Sequence, residues 1–233
     1  MSARAAGLGF DGKWIVVTGA SSGLGRAIAV ELSQRNAGVV LIGRDRDRLT
    51  ETASLLGGAR HRVEALDLTR HDAIVPLVQS LRADVGELYG LCHAAGVVVT
   101  RPLASSDPDV IRKQMDVNVL AGLELARAVA RRDVMSPEGG SLLFISSVYG
   151  LVGNAGQVGY CASKGALAAA VRAMAVELAR RRIRANCLSP GLVFTAMTQR
   201  SLGGPSSEQA QRLEAAHPLG HGLPEDVAYA AAF

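Results

Sequence analysis

The sequence predicts an α/β fold, a doubly wound parallel sheet with helices on both faces, in a single domain over residues 1–233. Three observations carry that reading. Short aliphatic runs alternate with segments of helical periodicity along the chain. Strands separated in this way run parallel, because each connection is long enough to be a helical crossover. A glycine-rich turn closes the first aliphatic run and opens the first helical segment, where such sheets bind phosphate.

Residues 13–18 (KWIVVT) read as a buried strand, and residues 23–36 as the following helix, with Ile28, Ala29 and Leu32 on one face. Residues 38–43 (GVVLIG) form a second strand, and 45–56 a helix in which Leu49, Ala53 and Leu56 recur at helical spacing. Residues 61–66 alternate as a third strand before a helix over 72–83. Residues 88–93 give a fourth strand, followed by one long helical stretch over 108–132. Residues 141–146 (SLLFIS) are a fifth strand, 156–182 another long helix and 183–188 a sixth strand. Residues 201–223, rich in Gly, Pro and Ser, read as a loop of the length that usually serves as a lid. Phe233 falls inside a further predicted helix.

The composition, 48% hydrophobic and 20% charged, is that of a globular chain and excludes disorder as a whole-chain description. With only 4% aromatic residues, the core is built from small and aliphatic side chains. No apolar run reaches the roughly 18 residues of a membrane span, and the first residues, MSARAAGLGF, lack the apolar stretch of a signal peptide. A cytoplasmic protein is expected. The basic pI, near 9.2, raises nucleic acid as a partner. The charges are scattered, apart from Arg131-Arg132 and Arg180-Arg181-Arg182, and no basic face carries aromatics to stack on, so no nucleic acid is expected. Cys92, Cys161 and Cys187 are odd in number and widely spaced, which fits reduced thiols rather than a disulfide or zinc framework. His61, His71, His93, His217 and His221 form no pair at helical metal-ligand spacing, so no metal is expected.

The turn after the first strand is Thr18-Gly19-Ala20-Ser21-Ser22-Gly23-Leu24-Gly25. Its glycines let backbone approach a pyrophosphate, the helix N-terminus offers free N–H groups, and Ser21 and Ser22 add hydroxyl donors. The G-x-x-x-G-x-G spacing differs from the G-x-G-x-x-G of other dinucleotide folds, and the missing Lys-Ser/Thr pair separates it from a triphosphate loop. At the end of the second strand stands Arg44, where an acid would hold a ribose 2′-hydroxyl and repel a 2′-phosphate. Arg44 is suited to pair with a phosphate, so NADP(H) is the expected cofactor, with NAD(H) the alternative and a solvated loop charge the plain reading.

Tyr160 and Lys164 lie four residues apart on one helix face. A phenol is a poor acid–base catalyst at neutral pH, and a neighbouring ammonium stabilises its phenolate. Lys164 is one of only three lysines beside 22 arginines. Ser147 comes thirteen residues before Tyr160, where the fifth strand ends, and ligands of parallel sheets bind at strand carboxyl ends. A surface Tyr–Lys pair is the plain alternative.

In this order the motifs resemble the short-chain dehydrogenase/reductase family, over about residues 10–233. The matching residues are the turn from Thr18 to Gly25, Asp67-Leu68 after the third strand, an Ala94-Ala95-Gly96 form of the N-A-G segment, and Asn118. Ser147, Tyr160-Cys161-Ala162-Ser163-Lys164 and Ser189-Pro190-Gly191 with Thr195 complete the set. The resemblance implies a Rossmann-like sheet and hydride transfer between a nicotinamide and a carbonyl or secondary alcohol, without a metal. It implies that Tyr160 donates the proton, Ser147 holds the carbonyl, Lys164 lowers the tyrosine pKa and binds the nicotinamide ribose, and Asn118 supports a water chain to Lys164. By the same resemblance Asp67, Leu68, Ala94, Ala95 and Gly96 meet the adenosine side of the cofactor, and Pro190, Gly191, Val193 and Thr195 its nicotinamide end.

Three departures stand out. Ala94 replaces an asparagine, His221 falls where many relatives carry arginine, and relatives continue beyond the equivalent of Phe233 into another strand. Either the sequence is a piece of a longer chain or the sheet lacks that usual last strand, and both readings stay open.

The expected substrate lining, residues 148–154 and 192–197, is mostly apolar or small, which suits a ketone of modest size. A 3-oxoacyl-[acyl-carrier-protein] reductase is the alternative, with the arginine clusters docking an acidic carrier or merely complementing helix ends. A catalytically weak dinucleotide-binding or scaffolding relative is the alternative of another class. The apolar stretches of the two long helices point to a homodimer or homotetramer.

Overall fold

The β2 run, Gly38–Gly43, is buried on both faces, as a strand inside a helix-covered parallel sheet must be. A computed structural model describes residues 9–58, 60–195, 198 and 208–233. Its strands are β1 (Trp14–Thr18), β2, β3 (His61–Ala65), β4 (Leu88–His93), β5 (Gly140–Ile145) and β6 (Ile183–Leu188). All pairings are parallel, in the order β3-β2-β1-β4-β5-β6. The order reverses beside β1, so the crevice where such sheets bind ligands opens at the carboxyl ends of β1 and β4.

Side chains alternate across the sheet with the period of two that strands impose. Val16, Val40, Ile42, Leu142 and Phe144 face a core closed by α3 (Ile74–Val85), α5 (Ala121–Val129) and α6 (Val158–Leu178). Ile15, Val17, Val39, Leu41 and Leu143 face a second core closed by α1 (Gly23–Gln34), α2 (Arg46–Ala53) and α8 (Pro224–Ala232). Helices therefore cover both faces of a single α/β domain, as the sequence predicts. Among the described residues no helix is long and apolar enough to cross a membrane.

The structure departs from the sequence reading at several boundaries. The expected helix over 108–132 is three pieces: α4 (Pro108–Met115), a π turn (Asp116–Leu120) and α5. The helix expected over 45–56 is shorter at both ends, because Asp45 is its N-cap and accepts the Arg48 N–H at 3.1 Å. The helix expected over 156–182 ends at Leu178 and closes with a tight turn to Arg182, which is left-handed at φ 54°. The expected loop 201–223 contains α7 (Glu208–Ala215), whose helix-forming EQAQRLEA run is masked by glycine and proline on both sides. Residues 196, 197 and 201–207 of the expected lining and loop lie outside the described residues.

Candidate active site

The β1–α1 turn is built on three glycines used in two ways. Gly19 (φ 66°) and Gly23 (φ 53°) hold left-handed backbone that side chains disfavour. Gly25 allows contact: a Cβ there would lie 2.4 Å from Gly19 O, and one on Gly19 would lie 2.9 Å from Ala95 Cα. Ser22 is the extended N-cap of α1, and its hydroxyl makes no capping bond. Ser21 reaches across toward Gly43 at the end of β2, and Thr195 comes against Gly23. The geometry is a cradle of close backbone at a helix N-terminus, which fits a dinucleotide pyrophosphate.

Arg26, which sequence reasoning missed, fastens this cradle to α2. Its Nε donates to Thr52 Oγ1 at 3.0 Å, and Nη2 donates to Ser21 O and Glu51 Oε2, each at 2.9 Å. Thr52 Oγ1 donates in turn to Ala20 O at 2.9 Å. The signal available was an arginine in the first turn of a helix, against the dipole, where a cation needs a specific partner.

Along the rim, Arg44 is exposed, and the next acid, Asp45, is committed to capping α2. Asp67 accepts from Thr69 N at 3.0 Å and Thr69 Oγ1 at 2.9 Å. The Thr69 backbone bond is the main cause holding the Asp67 carboxyl below its ordinary range, with Arg44 and Arg70 adding to it. Leu68 is buried beside it.

The catalytic candidates meet where β5 ends and α6 begins. Ser147 starts a short turn and accepts the Tyr149 N–H at 3.2 Å. Val148 N donates to Pro190 O at 3.0 Å, which ties this turn to the Pro190–Thr195 segment. Lys164 is buried, donates Nζ to Ile145 O at 2.7 Å, and lies 5.7 Å from the centre of the Tyr160 ring. Burial pushes the Lys164 ammonium down to about 8. Burial also pushes the Tyr160 phenol up, against the lowering effect of a hydrogen bond with Ser147. The downward pull expected from Lys164 is not among the causes of that shift; its ammonium is turned to the Ile145 carbonyl, 5.7 Å from the ring centre.

Asn118 is fully buried in the π turn. Its Oδ1 accepts from Val97 N at 2.7 Å, while Nδ2 donates to Val97 O at 3.0 Å and Ser163 Oγ at 2.9 Å. Both ends of the carboxamide are thus engaged with protein. Gly96 keeps the space between the two groups open: a Cβ there would stand 3.4 Å from Asn118 Oδ1 and 3.5 Å from Lys164 Nζ.

A cavity of about 360 Å³ opens onto Ser147 and Tyr160. Its walls are mostly apolar, from Val148, Val152 and Leu192 of the expected lining and from Val98 and Leu213, which were not expected. His217 bridges two walls, donating Nδ1–H to Leu213 O at 2.6 Å and accepting the Leu192 N–H on Nε2 at 3.0 Å. Gln157 is buried with Nε2 on Thr100 Oγ1 at 3.3 Å, and its Oε1 has no partner among the described residues.

A family model for short chain dehydrogenases matches residues 13–204. The chain belongs to the short-chain dehydrogenase family. It is 34% identical to carbonyl reductase family member 4 of Danio rerio over 219 residues, covering 94% of this chain and 89% of the relative. It is equally identical, 34% over 227 residues, to the 3-oxoacyl-[acyl-carrier-protein] reductase of Salmonella typhimurium, covering 97% of this chain and 91% of that one. Among solved structures, a dehydrogenase/reductase from Sinorhizobium meliloti superposes with a TM-score of 0.89 at 28% identity, covering 97% of this chain and 88% of that one. A Beutenbergia cavernae protein with NADP bound at low occupancy superposes at 0.88 with 30% identity, covering 97% and 90%. This short-chain dehydrogenase is therefore an oxidoreductase acting on CH–OH/C=O groups with NAD(P)(H), and its substrate is a small molecule.

His93, at the end of β4, is fully buried between these parts, and burial lowers its pKa to about 4 from the ordinary 6.5. Above pH 6.5 folded and unfolded chains hold the same protons at this ring, and its contribution to stability is full. As the pH falls from 6.5 toward 4, only the unfolded chain takes up the proton, and stability is lost. The gap in unfolding free energy between the protein and His93→Asn, measured in urea, is expected to change by up to about 3 kcal/mol between about pH 7 and about pH 4.5. A gap that stayed constant would contradict a neutral, buried imidazole.

Proposed function

We propose that this short-chain dehydrogenase is an NADP(H)-dependent ketoreductase or alcohol dehydrogenase with Tyr160 as its general acid and base. The observation that carries the reading is that Ser147 and Tyr160 open onto a mostly apolar cavity with buried Lys164 behind them, its Nζ 5.7 Å from the centre of the Tyr160 ring. In reduction, Tyr160 Oη gives its proton to the substrate carbonyl oxygen; in oxidation it takes that proton back. Ser147, which shares the cavity mouth with Tyr160, orients and polarises the same oxygen. Lys164, with its ammonium held behind the ring by Ile145 O, supplies the positive charge that favours the proton-depleted state of the phenol. Asn118 and Gly96 keep the path to Lys164 open. The nicotinamide, when bound, supplies or takes up the hydride.

The chain's own residues divide the work of holding that cofactor. The cradle from Gly19 through Ser21, Ser22, Gly23 and Leu24 to Gly25 receives the pyrophosphate, Asp67, Leu68, Ala94 and Ala95 the adenosine, and Pro190, Gly191, Val193 and Thr195 the nicotinamide carboxamide. Arg44 takes the 2′-phosphate, supported by its exposure and by the commitment of Asp45 to a helix cap. The apolar walls suit a ketone with a modest apolar body.

Similarity to 3-oxoacyl-[acyl-carrier-protein] reductases favours a second reading, a carrier-bound 3-oxoacyl substrate. The arginine clusters give it little support within one chain. Arg131 is paired with Asp133, and Arg181 donates to Ala130 O. They stand at the far end of α5 and α6, and the 21 residues of α6 span about 30 Å from the Tyr160 end. NADPH oxidation over a panel of ketones and a 3-oxoacyl thioester separates the two readings. A protein that binds NADPH but turns over none of them would instead be a dinucleotide-binding relative.

The outward stripe of α6 supports self-association. Val158, Ala162, Ala169, Ala173 and Val176 are all exposed and share one face, and Val176 is 80% exposed. Light scattering at micromolar concentration is expected to give at least a dimeric mass; a monomer would refute this.

Two substitutions test the chemistry. Tyr160→Phe is expected to cut turnover roughly 10²–10⁴-fold while leaving NADPH binding nearly unchanged. Retention of more than about a tenth of the activity would remove Tyr160 from the acid–base role. Arg44→Ala is expected to weaken NADPH binding by about 10- to 150-fold with little effect on NADH. Equal affinity for both cofactors in the unsubstituted protein would overturn that assignment.

A further inference from the structure

An α-helix running through Ala121 would give its N–H to the carbonyl four residues back, that of Val117. Here the Ala121 N–H reaches Asp116 O, the five-residue step of a π turn. The Val117 carbonyl is engaged instead by His93 Nε2, at 3.2 Å. The other ring nitrogen, Nδ1, lies 3.0 Å from Thr18 Oγ1, and that hydroxyl already accepts the Ala95 N–H at 3.0 Å. The Val117 carbonyl can only accept, so the neutral ring carries its proton on Nε2, facing Val117, and Nδ1 accepts the Thr18 hydroxyl proton. The seat is made for the ring. A Cβ on Gly122 would lie 2.7 Å from His93 Cδ2 and 3.0 Å from Nε2, so only glycine admits the imidazole there.

We propose that His93 is a positioning residue: it holds the π turn open by taking the Val117 carbonyl away from the helix, and so sets Asn118 against Val97 and Ser163. Without that bond the carbonyl is free to return to the Ala121 N–H. A change from π to α register turns the preceding segment relative to α5 by about one residue, roughly 100°. Asn118 then leaves Val97 and Ser163. Ser163 Oγ also donates to Tyr160 O at 2.8 Å, so the disturbance reaches the turn of α6 that carries the tyrosine. The kinetic consequence rests on the ketoreductase reading above; the structural one does not.

Three variants address the same contact from different sides. His93→Leu removes both nitrogens, His93→Asn keeps one donor and one acceptor, and Gly122→Ala keeps the histidine but fills its seat. Hydrogen–deuterium exchange of the amides over residues 117–122 is read in the cofactor-free protein, and kcat and KM are read with NADPH and the best ketone of the panel. His93→Leu and Gly122→Ala are expected to change exchange over 117–122 by about tenfold or more, with β1 and β5 protected as before. Both are expected to lower kcat roughly tenfold or more with KM within about threefold, and His93→Asn to recover most of the loss. Unchanged exchange and kcat within about twofold in His93→Leu would overturn the proposal. So would an equal loss in His93→Leu and His93→Asn accompanied by uniform deprotection of the whole sheet, the mark of a merely structural role. If the unsubstituted protein reduces no ketone in the panel, the ketoreductase reading fails, and the exchange result alone decides the role of His93.

Discussion

One hydroxyl joins the two halves of the site. Thr18 Oγ1 accepts the Ala95 N–H and donates to His93, so the ends of β1 and β4 are held together beyond their backbone ladder. This is the point where the strand order reverses and the sheet opens a crevice. On one side Gly19 lies against Ala95 and Gly25 against the Gly19 carbonyl, which determines where the cradle stands. On the other side the chain passes through Gly96, between Asn118 and Lys164. A shift at Thr18 therefore moves the glycine turn and the Asn118–Lys164 end together.

Most of the interior is aliphatic, and seven of the eleven buried polar residues among the described residues cluster here. Thr18, His93, Asn118, Ser146, Ser147, Ser163 and Lys164 are buried polar residues around the carboxyl ends of β1, β4 and β5. Buried polar groups are costly unless paired, and pairing them restricts each to one orientation. Ser146 Oγ donates to Lys164 O at 2.9 Å and fastens the end of β5 to α6. Gly150 permits that approach, since a Cβ there would stand 2.9 Å from the Lys164 backbone. The lysine is thereby held in a low-dielectric site where its proton is weakly bound, and the same burial keeps the tyrosine protonated. Those two shifts leave a neutral phenol beside an ammonium at neutral pH, which is the state the proposed proton donation from Tyr160 needs.

The proposed cofactor end is built from backbone more than from side chains. Left-handed Gly19 and Gly23 shape the turn, and Arg26 and Thr52 satisfy the carbonyls of Ala20 and Ser21 from outside it. The carbonyls are thus held away from the opening by Arg26 of α1 and Thr52 of α2, and the Ser22 side chain caps no N–H of the first turn of α1, which suits the anion proposed there. Charge at the rim is set by a similar division, with Asp45 spent on its own helix and Arg44 left at the surface.

What the sequence determined by itself was whatever depends on neighbours in the chain. Strand periodicity, the alternation with helices, the spacing of Thr18 to Gly25 and the four-residue step from Tyr160 to Lys164 are local patterns, and they were enough for the fold and for most of the candidate site. The π turn at Asn118 was not legible, because its cause is a histidine 24 residues away competing for a helix carbonyl. Arg26 meets partners on α2, 25 and 26 residues on, and His217 reaches Leu192 across 25 residues. The orientation of Lys164 toward Ile145, which alters the expected electrostatics at Tyr160, depends on the depth to which α6 sinks into the sheet edge. These features were decided by tertiary structure alone, since hydrogen bonds between distant segments and the desolvation of buried charges depend on what packs around a group and leave no periodic trace in the chain.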